Sequence, residues 1–163
     1  MLELVDVIDS RNEVVETLPR AEVNGRNLRH KCVYVVVLNA KGEWLVTKRT
    51  ATKKVYPSLL EIARGGTCAA GESFEDCARR ELEEEVGIKN AELTFLFDFG
   101  FKDEFINELV RVFKTVYDGK LRLQKEEVAA SFFVSEKKLR EMARERPQDF
   151  CPDSFPVLEK YCA

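Results

Sequence analysis

Hydrophobic and polar positions alternate with a period of two at the start of the chain. Leu2 to Ile8 (LELVDVI) sets apolar residues between acidic ones, as a half-buried strand does. The turn-rich Asp9-Ser10-Arg11-Asn12 and then Val14-Val15 predict a return strand, hence an N-terminal hairpin within residues 1–20. Residues 20–31 (RAEVNGRNLRHK) are polar, carry Asn24-Gly25, and read as a connection. Val33 to Leu38 is a continuous, largely β-branched run; Asn39 to Gly42 is a turn, and Trp44 to Thr47 returns, which predicts a hairpin in the core. Ala91 to Gly100 and Phe105 to Tyr117 flank the polar turn Lys102-Asp103-Glu104 as a second long hairpin, and Ala129 to Val134 is a further strand.

Between these strands the period changes. Phe74, Cys77, Ala78, Leu82 and Val86 recur at spacings of three and four, the buried stripe of a helix. Ser73 stands where an N-cap is needed, with Asp76 three residues on as in a capping box, and Gly87 followed by Ile88 fits a left-handed C-terminal stop. Ser135 begins a charged helix, and Asp153 to Tyr161 forms a last one with Asp153 or Ser154 at its start. Mixed strands with few helices imply helices packed on a sheet, an α/β (α+β) fold, and the 163 residues fit a single domain.

The central helix is odd electrostatically. Glu81, Glu83, Glu84 and Glu85 crowd its last turn, where like charges at i,i+3 and i,i+4 cost roughly 0.2–0.5 kcal/mol per pair and acids oppose the macrodipole. A divalent cation reverses both penalties. Upstream, Lys48, Arg49, Lys53 and Lys54 form a basic cluster before Tyr56-Pro57, suited to an anionic ligand.

Composition narrows the class. With 45% hydrophobic and 34% charged residues the chain is globular, and no apolar run approaches a membrane span. The acidic, alternating N-terminus is neither a signal peptide nor a transit sequence, so a cytoplasmic protein is expected. A net charge of −3 gives no general attraction to nucleic acid or to anionic membrane. Cys32, Cys68, Cys77, Cys151 and Cys162 are odd in number and contain no C-x-x-C, which suggests reduced, buried thiols. A homodimer is the default assembly.

Gly66, five residues, Glu72, seven residues, then Arg80-Glu81-Leu82-Glu83-Glu84-Glu85-Val86-Gly87-Ile88 match every fixed position of the Nudix box, so the chain resembles the Nudix hydrolases over residues 66–88. The resemblance implies a loop–helix–loop on an α/β/α sandwich, binding Mg²⁺ or Mn²⁺ and hydrolysing a nucleoside diphosphate linked to another moiety. Glu81, Glu84 and Glu85 look like the metal ligands, Glu72 like the acid that joins or supports them, and Arg80 like the arginine that braces them. Gly66 and Gly87 set loop and helix-end geometry, while Leu82 and Ile88 are core.

Beyond the box, Leu45 to Arg49, Thr52-Lys53-Lys54 and Tyr56-Pro57 resemble the Nudix proteins related to isopentenyl-diphosphate isomerase. In that isomerase the residues matching Arg49 and Lys53 contact diphosphate, and the one matching His30 is a metal ligand. Arg49, Lys53, Arg64, His30 and Glu108 are therefore the candidates for the substrate side. Two departures disfavour isomerisation: the isomerase's thiol position is Gly65, and one of its paired glutamates is Ile106, leaving only Glu108. Cys68, three residues further on, is given an incidental role. A non-catalytic module that binds a nucleotide is the other alternative. Glu84 or Glu81 within the box, and Glu126, Glu127 and Glu108 outside it, are the candidate general bases. Trp44, Tyr56, Phe101 and Phe105 are candidates to stack a base, with burial expected for most of them.

Overall fold

The computed structural model describes residues 2–161. β1 (Leu4–Ile8) and β2 (Val14–Pro19) form the expected N-terminal hairpin, Leu4 opposite Pro19 and Val7 opposite Glu16. The next segment is not a plain connection: Arg20–Gly25 is a short helix, α1. Arg20, Ala21 and Glu22 favour helix, and Val23 anchors it, fully buried with Val5 and Val7. Six residues are too few to display a helical apolar period, so the pattern could not reveal it.

The β-branched run becomes β3 (His30–Leu38), which is buried on both faces and bonded along both edges. β4 (Trp44–Arg49) follows the 39–43 turn, and the short β5 (Leu60–Glu61) pairs with it. β6 (Arg64–Thr67) runs antiparallel to one edge of β3, Tyr34 opposite Gly65. β5 and β6 lack the length and alternation that announce a strand. Gly65 is required by close approach, because a Cβ there would lie 1.8 Å from the Val33 carbonyl oxygen. After α2 (Phe74–Val86), β7 (Thr94–Lys102) and β8 (Asn107–Val116) form the second long hairpin. β8 lies parallel to the other edge of β3, His30 opposite Glu108 and Leu38 opposite Val116. β9 (Val128–Val134) pairs antiparallel with β4. α3 (Glu136–Glu145) and α4 (Ser154–Lys160) end the chain's regular structure.

Alternation along β3 and β4 divides the core. Val33, Val35, Val37 and Leu45 pack against Cys77, Ala78, Leu82 and Val86 of α2. Cys32, Val36, Trp44 and Val46 point the other way, to Leu139 and Ala143 of α3 and Val157 and Leu158 of α4. The result is the expected sandwich of a mixed sheet between helices. Ile88, just past α2, is buried as well. Cys32, Cys68, Cys77 and Cys151 are free and buried; Cys162 lies outside the described residues. Among the described residues no helix is long and apolar enough to cross a membrane.

Candidate active site

Sequence fixes α2 at both ends and so sets the height of its carboxylates. Ser73 Oγ accepts the Asp76 amide at 3.1 Å and donates to the Asp76 carboxylate at 2.7 Å. At the other end Gly87 is left-handed, φ 76°, and its amide and that of Ile88 return to the Glu83 and Leu82 carbonyls. The amides of Arg122 and Gln124 cover the last carbonyls, of Val86 and Glu85, at 2.9 Å each. The 120–127 loop is thereby tied to the acidic turn.

That turn forms one wall of a cleft of about 1120 Å³. Gly66 passes directly beneath it, and a Cβ there would fall 2.8–3.0 Å from the Glu81 carboxylate atoms. Arg80 gathers the acids: its guanidinium donates to both oxygens of Glu72 at 2.9 and 3.0 Å, to Glu81 at 2.7 Å and to Glu84 at 3.3 Å. Glu72 also accepts the Ala69 amide at 2.8 Å. Burial works against its charge, but Arg80 and that amide prevail and hold its carboxyl below the usual range. With both oxygens so engaged, Glu72 braces the site from behind the cleft wall.

Arg64 does not face the substrate side. It is fully buried, donating from Nη1 to Glu61 at 2.8 Å and to Glu85 at 3.4 Å, while its Nε and Nη2 have no partner among the described residues. Its position on β6, pointing under α2, puts it beneath the carboxylates rather than over a ligand. Glu61 takes Arg49 as well, and the two arginines overcome the effect of burial to lower its pKa. Glu85 is pushed up to about 8, first by burial and then by Glu61 and Glu81, with Arg64 and Lys53 opposing. Burial likewise raises Glu81 despite Arg80.

Among the described residues the five carboxylates Glu61, Glu72, Glu81, Glu84 and Glu85 thus have three cationic partners, the guanidiniums of Arg49, Arg64 and Arg80. The surplus is negative and all-oxygen, and the glycine leaves a cradle beside Glu81, so the donor set fits a hard divalent cation. Among the described residues no three acidic, His or Cys side chains already converge on one point, since their oxygens are turned to the arginines.

Of the basic cluster, Arg49 and Lys53 are engaged. Arg49 donates from Nε and Nη2 to the Val55 carbonyl at 3.1 and 2.9 Å besides pairing with Glu61. Lys53 pairs with Glu127 across the cleft. Lys54 is exposed on the cleft lining, and Glu126 lies at its edge, its carbonyl accepting Thr50 Oγ1 at 3.0 Å.

The far wall carries groups of a different kind. His30, on β3, is buried, and its neighbour across the parallel pairing is Glu108. Nδ1 lies 2.9 Å from the Leu28 carbonyl, so it holds the ring proton, and burial keeps the imidazole neutral by lowering its pKa. Its bare Nε2 then faces Glu108 at 3.7 Å, which is not an ion pair. Tyr34 donates to Asp153 at 2.5 Å, and its oxygen is 3.3 Å from the other Glu108 oxygen. One phenolic proton cannot serve both acids. A proton on Glu108 completes the chain, and burial, then the Asp153 charge, pushes Glu108 up to about 7. Burial likewise lifts Asp153 to about 6.

Both acids therefore bind protons more tightly in the folded chain than in the unfolded one. Their contribution to stability is present below about pH 4, the ordinary carboxyl range, and is lost as pH rises through 6 to 7. For Glu108 the loss is on the order of 3 kcal/mol. Glu108→Gln should flatten this part of the curve when denaturant unfolding is measured from pH 5 to 8; parallel curves for the two proteins would remove the proton assigned to Glu108.

Sequence reasoning missed Glu61, Tyr34 and Asp153. A lone acid inside the apolar stretch 59–63 was a readable signal for Glu61. For Tyr34 and Asp153, far apart on β3 and at the start of α4, there was none. The four aromatic candidates separate cleanly. Trp44 is core, edge-on to Tyr161 at 4.6 Å, and Phe101 packs against the same cluster. Tyr56 and Phe105 line the cleft.

This architecture has known counterparts. The chain superposes on DR0079 of Deinococcus radiodurans with a TM-score of 0.81 at 21% identity, covering 98% of this chain and 100% of that one. It matches the NUDIX domain of Shewanella oneidensis NrtR, solved with ADP ribose, with a TM-score of 0.65 at 15% identity, over 88% and 96% of the two chains. In sequence it is 41% identical over 160 residues to PA4841 of Pseudomonas aeruginosa, described as an uncharacterized Nudix hydrolase, covering 98% of this chain and 93% of that protein. YfcD of Escherichia coli, described in the same words, is 33% identical over 156 residues, covering 96% and 84%. The family model for the NUDIX domain matches residues 28–154, from just after α1 to the start of α4. Fold, box and relatives agree: the chain belongs to the NUDIX family and is a hydrolase of phosphoanhydride bonds.

Proposed function

We propose that the protein cleaves the diphosphate linkage of a nucleoside diphosphate derivative or a related small metabolite, with Mg²⁺ or Mn²⁺ held by Glu81, Glu84 and Glu85. The observation that carries this is the carboxylate surplus over Gly66, set in a cleft that Lys53 and Lys54 also line. When bound, such an ion neutralises the diphosphate, polarises phosphorus and lowers the pKa of an attacking water. The chain's own part is positional. Arg80, fixed by Glu72, keeps Glu81 and Glu84 on the cleft wall, and Arg64 does the same for Glu85 from below.

Glu84 suits the role of general base, being half exposed with Arg80 its only ionic partner among the described residues. Glu126 and Glu127 are the alternatives on the tethered loop, Glu127 needing release from Lys53. Glu108, on the far wall beside Tyr34 and His30, is the third alternative, its carboxyl pushed up by burial to about 7. The crowding at Gly65 and the apolar Ile106 favour hydrolysis over allylic isomerisation, since neither supplies a proton carrier.

The reading is tested with nucleoside diphosphate sugars, dinucleotides, nucleoside triphosphates and isoprenyl diphosphates, with and without Mn²⁺. Metal-dependent release of a phosphorylated product is expected from a base-bearing diphosphate. An isomerised allylic product, or tight nucleotide binding without any turnover, would replace this reading by an isomerase or a sensor.

A further inference from the structure

The cleft's mouth is built for something other than phosphate. Tyr56 and Phe105 come from different segments, the 50–59 loop and the β7–β8 turn, yet their rings stand 6.0 Å apart at 88°. A single carboxylate organises both. Asp103 accepts the Tyr56 hydroxyl on one oxygen; on the other it accepts the Phe105 amide at 2.7 Å and the Ile106 amide at 2.8 Å. Behind Tyr56, the Arg49 guanidinium clamps the Val55 carbonyl, so the loop is fixed on both sides of the ring.

Holding this corner has a cost. Tyr56 is left-handed, with φ 51°, a conformation that bulky residues adopt only when their surroundings impose it. Phe105 is 48% exposed, so its ring is kept in water instead of joining the core. Neither expense serves the core clusters, which contain neither residue. Two perpendicular rings present a face and an edge on adjacent sides, and a third planar ring can stack on one while meeting the other edge-on. The same cleft is also lined by Lys53, Lys54 and the α2 acids Glu81, Glu84 and Glu85. One cleft thus carries an aromatic corner and ionic groups together, as a ligand with a planar ring at one end and phosphates at the other requires.

We propose that Tyr56 and Phe105, aligned by Asp103, form the subsite for the nucleobase of the substrate. The assignment rests on the hydrolase reading for the phosphate end of the ligand, and the ring end is tested apart from it. Binding of ADP, phenyl phosphate and inorganic pyrophosphate is measured by calorimetry on the full chain in Ca²⁺ buffer, for the wild type, Phe105→Ala and Phe105→Trp. The wild type is expected to bind ADP more tightly than pyrophosphate. Phe105→Ala should weaken ADP about tenfold, the order expected for one stacked base, and leave pyrophosphate within about twofold; Phe105→Trp should keep ADP affinity. Because the ring is exposed, unchanged melting curves will accompany these effects. Equal losses for ADP and pyrophosphate, ADP binding indifferent to Phe105→Ala, or no ADP binding by the wild type would each overturn the subsite. A Phe105 effect on phenyl phosphate but not on ADP would overturn the nucleobase in favour of a simple aryl group. Phe105-dependent ADP binding in a protein that turns over no diphosphate would keep the subsite and reject the hydrolase reading.

Discussion

Glu84→Gln is expected to lower kcat in Mg²⁺ or Mn²⁺ by about a thousandfold, some 4 kcal/mol of barrier, without loss of the folded state. The asymmetry follows from where the side chain sits. Its carboxylate is 53% exposed and touches Arg80 at 3.3 Å, a contact worth little to stability in water. Arg80 retains Glu72 and Glu81, so the brace survives the substitution. What disappears is one negative charge from a donor set whose surplus is small, together with the best-placed proton acceptor. The measurement is kcat across a metal titration beside a melting curve. Activity near that of the wild type at saturating Mn²⁺ would take Glu84 out of the machinery, and a large fall in melting temperature would mean that the residue is structural.

Gly65→Ala should do the opposite, damaging the fold first. The added Cβ meets a main-chain oxygen at 1.8 Å, in a strand paired to the sheet's central member, so no side chain can rotate away to relieve the clash. A destabilisation of about 3 kcal/mol or more is expected, lowering the melting temperature by roughly 6–12 °C. Gly25→Ala is the control, since nothing lies within 4 Å of a Cβ there. If both variants melted together, the approach of β6 to β3 would be looser than described. The same crowding bears on the isomerase resemblance: a cysteine at residue 65 has to move the strand before its sulfur can reach anything.

Much of this was legible in the sequence because the patterns were long or doubly specified. α2 has a period, an N-cap, a C-terminal glycine and a motif, and its limits at Phe74 and Val86 agree with all four. β3, β8 and β9 have the apolar runs that strands need. What escaped was short or made by tertiary contact. α1, β5 and β6 are too brief for periodicity to accumulate. Arg64 reads from the sequence as a substrate-side candidate, and only the fold shows it fully buried against Glu61 and Glu85. The acid pair of Glu108 and Asp153 depends on Tyr34, and no local feature links three residues on three separate elements.

The parallel pairing of β3 with β8 has a kinetic consequence. His30 and Glu108 face each other across that ladder, and the whole of α2 with its carboxylates lies in the chain between them. The ladder closes a long loop, which loses chain entropy before its contacts form, and such non-local pairings are slow. A chain that has folded its hairpins and α2 but not this ladder carries the acidic turn without the opposite wall. Recovery of ligand binding during refolding should therefore follow the slow closure of this ladder rather than the early hairpins.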